Sequence, residues 1–396
     1  MKKSLISFKN YLITFLVSAW ILTILLRSSY AHWKDSIGGL NLHVVQAKAF
    51  LEGRLDFVCT LSDNAYFRGK CFSPYPPLPA LFYVPLVWIV NGEINRINPM
   101  TVGILLTIAS MYLVGCLAKR FFLSLEQFLW WLTAFFLGTG YFFAFKYSTG
   151  VWTTAHVFSV FFLWLSIYAA SKGSAIGAAT GLACSFLCRQ MTIFNYFFIG
   201  ILLWENLPNR RGRSLFFFHL IIAVGVIVYL IFNYLRFESI WETGYRFVPP
   251  STSFFHKMAL EKGNFDWIYF GYNFYYMFFH GFQIFFHTEE YWHSYQLDWN
   301  GTSLLAASPF VVIALWANQN VKLIMAAWLS IVAVLIPLLC FANNGWMQIN
   351  TQRFSLDFLP TLFCLIAWGM QNTEIKWVRL LVGYSVGLNI LALWIL

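Results

Sequence analysis

The sequence predicts an all-α polytopic membrane protein with about 11 transmembrane helices. Of its 396 residues, 59% are hydrophobic, 20% are aromatic and 11% are charged, whereas about a quarter of the residues in a soluble domain are charged. Apolar runs recur along the whole chain, at 11–27, 78–91, 101–117, 127–145, 152–170, 174–188, 192–204, 215–234, 301–317, 321–341, 355–371 and 378–396. A spanning helix needs about 20 residues, so the runs 78–91, 174–188 and 192–204 are short. They predict half-helices or re-entrant segments, and one of them is expected not to cross.

Basic residues set the predicted orientation. Three lysines in the range 2–9 and three arginines in the range 210–213 predict cytoplasmic positions by the positive-inside rule. The polar intervals 28–79 and 236–300 then both lie outside the cytoplasm. We expect one membrane-embedded domain over 1–396, because no linker separates a soluble part. The net charge of +10 is spread over short loops, which argues against a nucleic-acid partner and favours contact with anionic lipid.

The first polar interval holds the candidate catalytic residues Asp35 and His43. The segment 44–52 has one apolar helical face, which predicts an amphipathic helix lying in the membrane interface, and Gly53 is expected to end it. A carboxylate held there can act as a general base or help to hold a divalent cation, although a loop aspartate is also often only solvated. Cys59 and Cys71 are a disulfide candidate if this interval faces an oxidising compartment.

Charged residues next to apolar runs are the other candidates. Arg189 ends a short apolar segment, so it is predicted either to bind a lipid phosphate or to reach the interface. Arg353 is a second phosphate candidate, or it pairs with Asp357 four residues later. Glu238 and Glu242 are candidates for binding an acceptor or a metal.

Four segments carry a family resemblance. They are Ala47–Arg54, Tyr75-Pro76-Pro77-Leu78, Gly177–Arg189 and Gln348–Pro360. With these four segments in this order, the chain resembles the GT-C fold membrane glycosyltransferases, which take sugars from polyprenyl-phosphate donors. This group includes protein O-mannosyltransferase and aminoarabinose-transferase types. The segment 232–245 is similar to the outer end of the helix before the second large loop of these enzymes.

The resemblance implies both an activity and a site. The chain is expected to move a sugar from a polyprenyl-phosphate donor to a lipid, glycan or protein acceptor at the non-cytoplasmic face, as part of a bacterial inner membrane. Asp35 corresponds best to the acidic residue of the family's first loop. Arg189, Arg353 and Tyr75, which stands where some relatives have lysine, are expected to bind the donor phosphate. The cofactor is left open, with a divalent cation as one possibility.

Two other classes of protein remain open at the level of sequence. A transporter or lipid flippase fits the short broken helices, but it gives no reason for two long outer intervals. A structural membrane scaffold predicts that Asp35 and Arg189 can be replaced without loss of function.

Overall fold

The structure is a computed structural model of the chain. It describes residues 8–35, 41–59, 63–121, 124–207, 211–249, 254–286, 295–342, 348 and 350–395. Most of these residues are helical, as the sequence predicts. The α-helices are α1 Phe8–Asp35, α2 Leu42–Leu51, α3 Leu78–Ile89, α4 Met100–Phe121, α5 Leu125–Leu137, α6 Tyr141–Lys146, α7 Val151–Ser171, α8 Ala175–Phe186, α9 Tyr196–Asn206, α10 Arg211–Phe237, α11 Phe254–Lys262, α12 Phe270–Phe278, α13 Leu304–Ala307, α14 Val321–Leu339, α15 Leu359–Met370 and α16 Ile375–Ile395.

Shorter elements connect these helices. The 3-10 helices are Ile94–Arg96, Gln190–Asn195, Tyr245–Phe247, Trp267–Tyr269, Pro309–Trp316 and Arg353–Asp357. Two antiparallel hairpins are formed by β1 Ala65–Phe67 with β2 Lys70–Phe72 and by β3 Ile284–Phe286 with β4 Tyr295–Leu297.

Within the described residues, six helices are long and apolar enough to cross a membrane: α1, α4, α7, α10, α14 and α16. Four more apolar helices, α3, α5, α8 and α15, have only 10–17 residues. The structure therefore agrees with an all-α membrane protein. The six helices of spanning length among the described residues are fewer than the 11 crossings that we expected. The buried side chains of helices from α1 to α16 form one large hydrophobic cluster.

The run 127–145 is one apolar run in the sequence but two helices in the structure. α5 ends at Leu137 and α6 begins at Tyr141. At Gly140 an added Cβ would stand 2.5 Å from Thr351 Oγ1, so the segment just before Arg353 packs directly on this break. Backbone carbonyl groups that have no helical partner at this break accept hydrogen bonds from side chains. Ser308 Oγ donates to Gly138 O, and Asn389 Nδ2 donates to Leu137 O.

The helix after the first membrane segment is α2, and it is not the interfacial amphipathic helix that we expected. Its residues Leu42 to Ala47 and Ala49 are buried, including both polar side chains His43 and Gln46. Because α2 has one apolar face, we expected its opposite face to be exposed. Instead, α3 and the start of α7 cover that opposite face. Gly53 ends the helix with a φ of +71°, as predicted.

The two polar intervals lie against each other. Arg68 on the β1–β2 hairpin pairs with Glu238, and the Phe67 ring packs on the rings of Phe237 and Phe247. The ring of Tyr75 meets that of Tyr245 at a centroid distance of 5.9 Å. Cys59 and Cys71 form a disulfide, with Cα atoms 5.4 Å apart.

The small residues of α8 allow its backbone to approach α7 closely. A Cβ on Gly181 would stand 2.7 Å from Ser166 N and 2.8 Å from Ser166 Cα. Ser166 Oγ also donates to Ala178 O across the same contact. Small residues at such crossings are typical of helix packing in membranes.

We predict that Gly181→Ala destabilises the protein by about 1–3 kcal/mol, because the added methyl group overpacks a backbone contact. Gly387→Ala on α16 is the matched control, since nothing lies within 4 Å of its added Cβ. Thermal unfolding of the purified chain in detergent measures both variants. Equal melting temperatures for the two variants would contradict the close contact.

Candidate anion-binding site between the two polar intervals

The site is built around the carboxylate of Asp357, which is buried at the end of the 3-10 helix Arg353–Asp357. Arg189 binds it through two atoms: Nε lies 2.5 Å from Oδ1 and Nη2 lies 2.9 Å from Oδ2. A planar guanidinium matches a carboxylate in this bidentate geometry. Burial, the largest single cause, raises the pKa of Asp357, but the charges and hydrogen bonds of Arg189 and His156 together outweigh it and lower this pKa to about 2.

This pair replaces the expected contact between Arg353 and Asp357. In an α-helix, residues four apart share a face. The segment is a 3-10 helix with about 3 residues per turn, so side chains four apart diverge and the carboxylate turns to Arg189 instead. His156 of α7 is fully buried on the other side, with Nδ1 3.4 Å from Asp357 Oδ1.

Arg353 lies among aromatic rings. Its guanidinium carbon is 5.0 Å from the ring centroid of Trp152 and 5.4 Å from that of Phe354. Arg189 also contacts Phe354, at 5.5 Å. Burial, followed by the charge of Arg189, lowers the pKa of Arg353 to about 10. The two guanidinium groups are therefore close enough to repel each other, which is the arrangement that favours a bound anion.

Tyr75 forms the wall on the side of the first interval. Its hydroxyl accepts a hydrogen bond from the indole N–H of Trp152, and its ring packs between those of His43 and Tyr245. Burial raises the pKa of Tyr75 well above its usual value, so the hydroxyl stays protonated. Arg353 is near enough to act on this hydroxyl electrostatically. The structure thus brings the three expected phosphate ligands, Arg189, Arg353 and Tyr75, to one place.

His43 is a poor catalytic group in this structure. Its side chain is fully buried, and Nε2 lies 3.1 Å from the carbonyl oxygen of Val151. Burial lowers its pKa to about 4, so the imidazole is neutral at pH 7. The ring lies behind Tyr75 and joins α2 to the start of α7. The sequence placed His43 at an exposed interface because the burial of α2 was not foreseen.

Of the remaining candidates, Glu238 and Glu242 do not join the site. Asp35 is the last residue of α1, but its side chain lies outside what the structure describes. Glu238 pairs with Arg68 at the surface. Glu242 pairs with Arg246, with Oε2 2.7 Å from Nε, and accepts a bond from Gly244 N. Both glutamates thus hold the loop structure together rather than converge on a ligand.

Sequence reasoning missed one buried residue of this region, Arg236. Arg236 is 2% exposed, and its guanidinium donates to the carbonyl oxygens of Ser73 and Tyr75. Its position at the end of an apolar run was a signal for burial. The contact itself was not predictable from local pattern, because Ser73 and Tyr75 lie more than 160 residues away in the sequence.

No cluster of three or more potential metal ligands occurs among the residues that the structure describes. Comparisons with protein-family models, curated proteins and solved structures found no match to this chain. The fold and the side chains of the site therefore carry the functional argument.

We predict that Asp357→Asn destabilises the protein by about 3–5 kcal/mol, since it leaves the Arg189 charge buried beside a neutral amide. The double variant Arg189→Gln/Asp357→Asn should be more stable than the sum of the single changes, because neither charge then remains alone. Denaturation in detergent completes the double-mutant cycle. Additive single changes would show that the two side chains do not interact.

The stabilisation by Asp357 should also depend on pH in a defined direction. The pKa of this group is lower in the folded protein, about 2, than its ordinary value of 3.8. Its contribution is therefore complete above pH 4 and declines as the pH falls towards 2. The difference in melting temperature between wild type and Asp357→Asn should stay constant from pH 8 to pH 5 and narrow below about pH 4. A difference that narrows near pH 6 would mean that this carboxyl is not held ionised.

Proposed function

We propose that the chain is an integral-membrane glycosyltransferase of the GT-C type, which moves a sugar from a polyprenyl-phosphate donor to an acceptor at the non-cytoplasmic face of a bacterial inner membrane. The observation that carries the proposal is the convergence of Arg189 and Arg353 on one aromatic-walled site between the two polar intervals. The GT-C fold and the full set of about 11 crossings belong to this proposal.

The arginines match the chemistry of the donor. Cleavage of a sugar–phosphate bond adds negative charge to the leaving phosphate, and fixed cations stabilise that charge in a site that excludes water. Guanidinium groups also bind phosphate through paired N–H donors. The Asp357 carboxylate neutralises one of the two cations, so together these three groups leave one positive charge for the donor.

An apolar cavity beside α9 is the proposed place for the lipid part of the donor. Its volume is about 320 Å³, and it lies between α9, α10 and α14. On α9 its lining extends from Tyr196 to Trp204, which is about 12 Å at 1.5 Å per residue. Tyr196 follows Arg189 by seven positions in the sequence. A donor with its phosphate at Arg189 has an apolar surface for its isoprenoid chain beside the next helix.

Two features support the proposed side of the membrane. A disulfide such as Cys59–Cys71 forms in oxidising compartments and is rare in the cytosol. The second polar interval packs on the first, so both intervals lie on one side. The aromatic rings of Trp152, Tyr75 and Tyr245 then offer flat apolar surfaces on which a sugar can stack.

We predict that Arg353→Gln weakens donor binding by about 10–100-fold, because a hydrogen bond to a charged group is worth about 1.5–3 kcal/mol. Arg353→Lys should recover only part of the affinity, since an ammonium group lacks the planar pair of donors. Binding and turnover are measured with the purified chain and polyprenyl-phosphate sugars labelled in the sugar.

Arg379→Gln is the matched control, because Arg379 is exposed and pairs only with Glu126 among the described residues. It should bind the donor as wild type does. The proposal fails if wild type neither binds nor cleaves any labelled donor, or if Arg353→Gln binds as tightly as Arg379→Gln.

A lipid flippase is the second candidate, and the broken helices favour it. α5 and α6 are separated at Gly138–Gly140, and α8 and α9 are separated by the 3-10 helix that follows Arg189. Transporters often bind their substrates at such interruptions. A flippase predicts that vesicles containing the protein move a polyprenyl-phosphate sugar between leaflets without releasing the sugar. Sugar transfer to an acceptor excludes this as the sole activity.

A further inference from the structure

A second cavity lies between the first turns of α8 and α10, at the end of α10 that the sequence predicts to be cytoplasmic. Its volume is about 330 Å³. The residues that line it are Ser174, Ala175, Ile176, Arg213, Ser214 and Phe217. Further along, the two helices are in close contact, because a Cβ added to Gly225 would stand 2.9 Å from Ala183 Cβ. The helices therefore touch at that level and leave a space between their starts.

Arg213 supplies the charge of this cavity. Its guanidinium carbon lies 5.8 Å from the ring centroid of Phe217, one turn further along α10, so the cation lies over another wall residue. Arg213 forms no ion pair within the described part of the chain, and neither α8 nor α10 contains an aspartate or glutamate. An anion in the cavity would therefore meet a cation that these two helices do not neutralise.

Two hydroxyl groups stand beside Arg213 in the wall of the cavity. Ser174 Oγ accepts a hydrogen bond from Gly177 N at 3.3 Å and so caps α8, while its own proton remains available to donate. Ser214 directly follows Arg213 in α10. A guanidinium group with neighbouring hydroxyl donors suits the charged oxygens of a phosphate group.

The surface that continues from the cavity along α10 is apolar and faces outwards. α10 is a candidate spanning helix, and only 28% of its apolar stretch is buried inside the protein. Spacings of three and four residues place one exposed stripe on the same helical face as Arg213 and Phe217. The stripe consists of four side chains that are 43–52% exposed: Leu220, Val224, Ile227 and Ile231.

The length of this stripe suits a lipid chain. From Phe217 to Ile231 it extends over about 21 Å at 1.5 Å per residue. The hydrocarbon core of a bilayer is about 30 Å thick, so one leaflet accounts for about half of that depth. An acyl chain that begins at the cavity can therefore lie along α10 through its whole leaflet.

We propose that the cavity binds the head group of an anionic glycerophospholipid, with its phosphate at Arg213 and one acyl chain along the apolar stripe of α10. Basic pockets between transmembrane helices bind the head groups of anionic lipids. A zwitterionic lipid carries its own cation next to the phosphate, so it gains less from Arg213. The bound lipid would join α8 to α10 at the level where the two helices do not touch.

This lipid site is separate from the candidate site at Arg189 and Arg353. α8 has 12 residues, or about 18 Å of helix, and it lies between Ser174 at its start and Arg189 beyond its end. The proposed lipid site therefore does not depend on glycosyl transfer.

The test uses the full chain, delipidated in a neutral detergent, with phosphatidylglycerol and phosphatidylcholine of identical acyl chains as probes. The variants are Arg213→Gln, Arg213→Lys and Ser214→Leu, of which the last fills the cavity but keeps the arginine. Arg379→Gln is the control, since Arg379 is an exposed arginine near the start of α16 that pairs with Glu126. Native mass spectrometry counts the bound lipids and gives their apparent Kd, and melting temperatures without lipid check that each variant is folded.

We expect wild type to bind one phosphatidylglycerol more tightly than phosphatidylcholine. Arg213→Gln should weaken this binding about 10–100-fold, because it removes charge-assisted hydrogen bonds. Arg213→Lys should recover part of the affinity, since an ammonium group keeps the charge but lacks the planar pair of donors. Ser214→Leu should also lose the tightly bound lipid, and Arg379→Gln should bind as wild type does.

Three results would overturn the proposal. The first is equal affinity of wild type for the two lipids, or a tightly bound phosphatidylglycerol that persists in Arg213→Gln or in folded Ser214→Leu. The second is displacement of the lipid by inorganic phosphate alone, which would indicate a simple anion site. The third is tighter binding of a polyprenyl phosphate than of phosphatidylglycerol, lost in Arg213→Gln, which would assign the cavity to a polyprenyl carrier instead.

Discussion

The buried carboxylate of Asp357 is the constraint on which the middle of the structure depends. An ion inside an apolar bundle must be paired and hydrogen-bonded, and the partners of this residue come from separate parts of the chain. Arg189 supplies the opposite charge. Asn195 donates to the backbone oxygen of Asp357, and Thr361 Oγ1 donates to Asn195 Oδ1. The ion pair therefore fixes the 3-10 helix Gln190–Asn195 against the start of α15.

The same constraint explains why helices are interrupted at this level. A continuous α-helix satisfies its own backbone groups, and irregular backbone inside a membrane is tolerated only where protein or a water-filled cavity covers it. Here the interruptions before α9 and α15 adjoin the charged pair. The break between α5 and α6 meets Thr351 and the backbone at Arg353 through Gly140. Three interruptions thus adjoin one polar site.

Sequence patterns predicted the parts of the fold that depend on local composition. The six long helices follow uninterrupted apolar runs, and Gly53 marked a helix end. Patterns did not predict the burial of α2, because its cover comes from α3 and α7. The geometry at Asp357 was also missed, because an i, i+4 pairing assumes an α-helix and the segment is 3-10.

Arg236 is a buried arginine whose hydrogen-bond partners are all uncharged. Arg236 lies 3.8 Å from the ring centroid of Phe232 and donates to backbone carbonyls and to Asn233 Oδ1. These acceptors are uncharged and occupy its N–H groups. Arg236 therefore holds the backbone in place at Ser73 and Tyr75.

Tyr75 is consequently held on three sides: by Arg236 at its backbone, by Trp152 at its hydroxyl and by Tyr245 at its ring. These contacts come from α10, from α7 and from the second polar interval. A ligand at Arg353 therefore meets a wall that is already in place, and ordering that wall costs it little entropy. With the wall preorganised in this way, the energy of each contact with a ligand can go into binding and into stabilising charge.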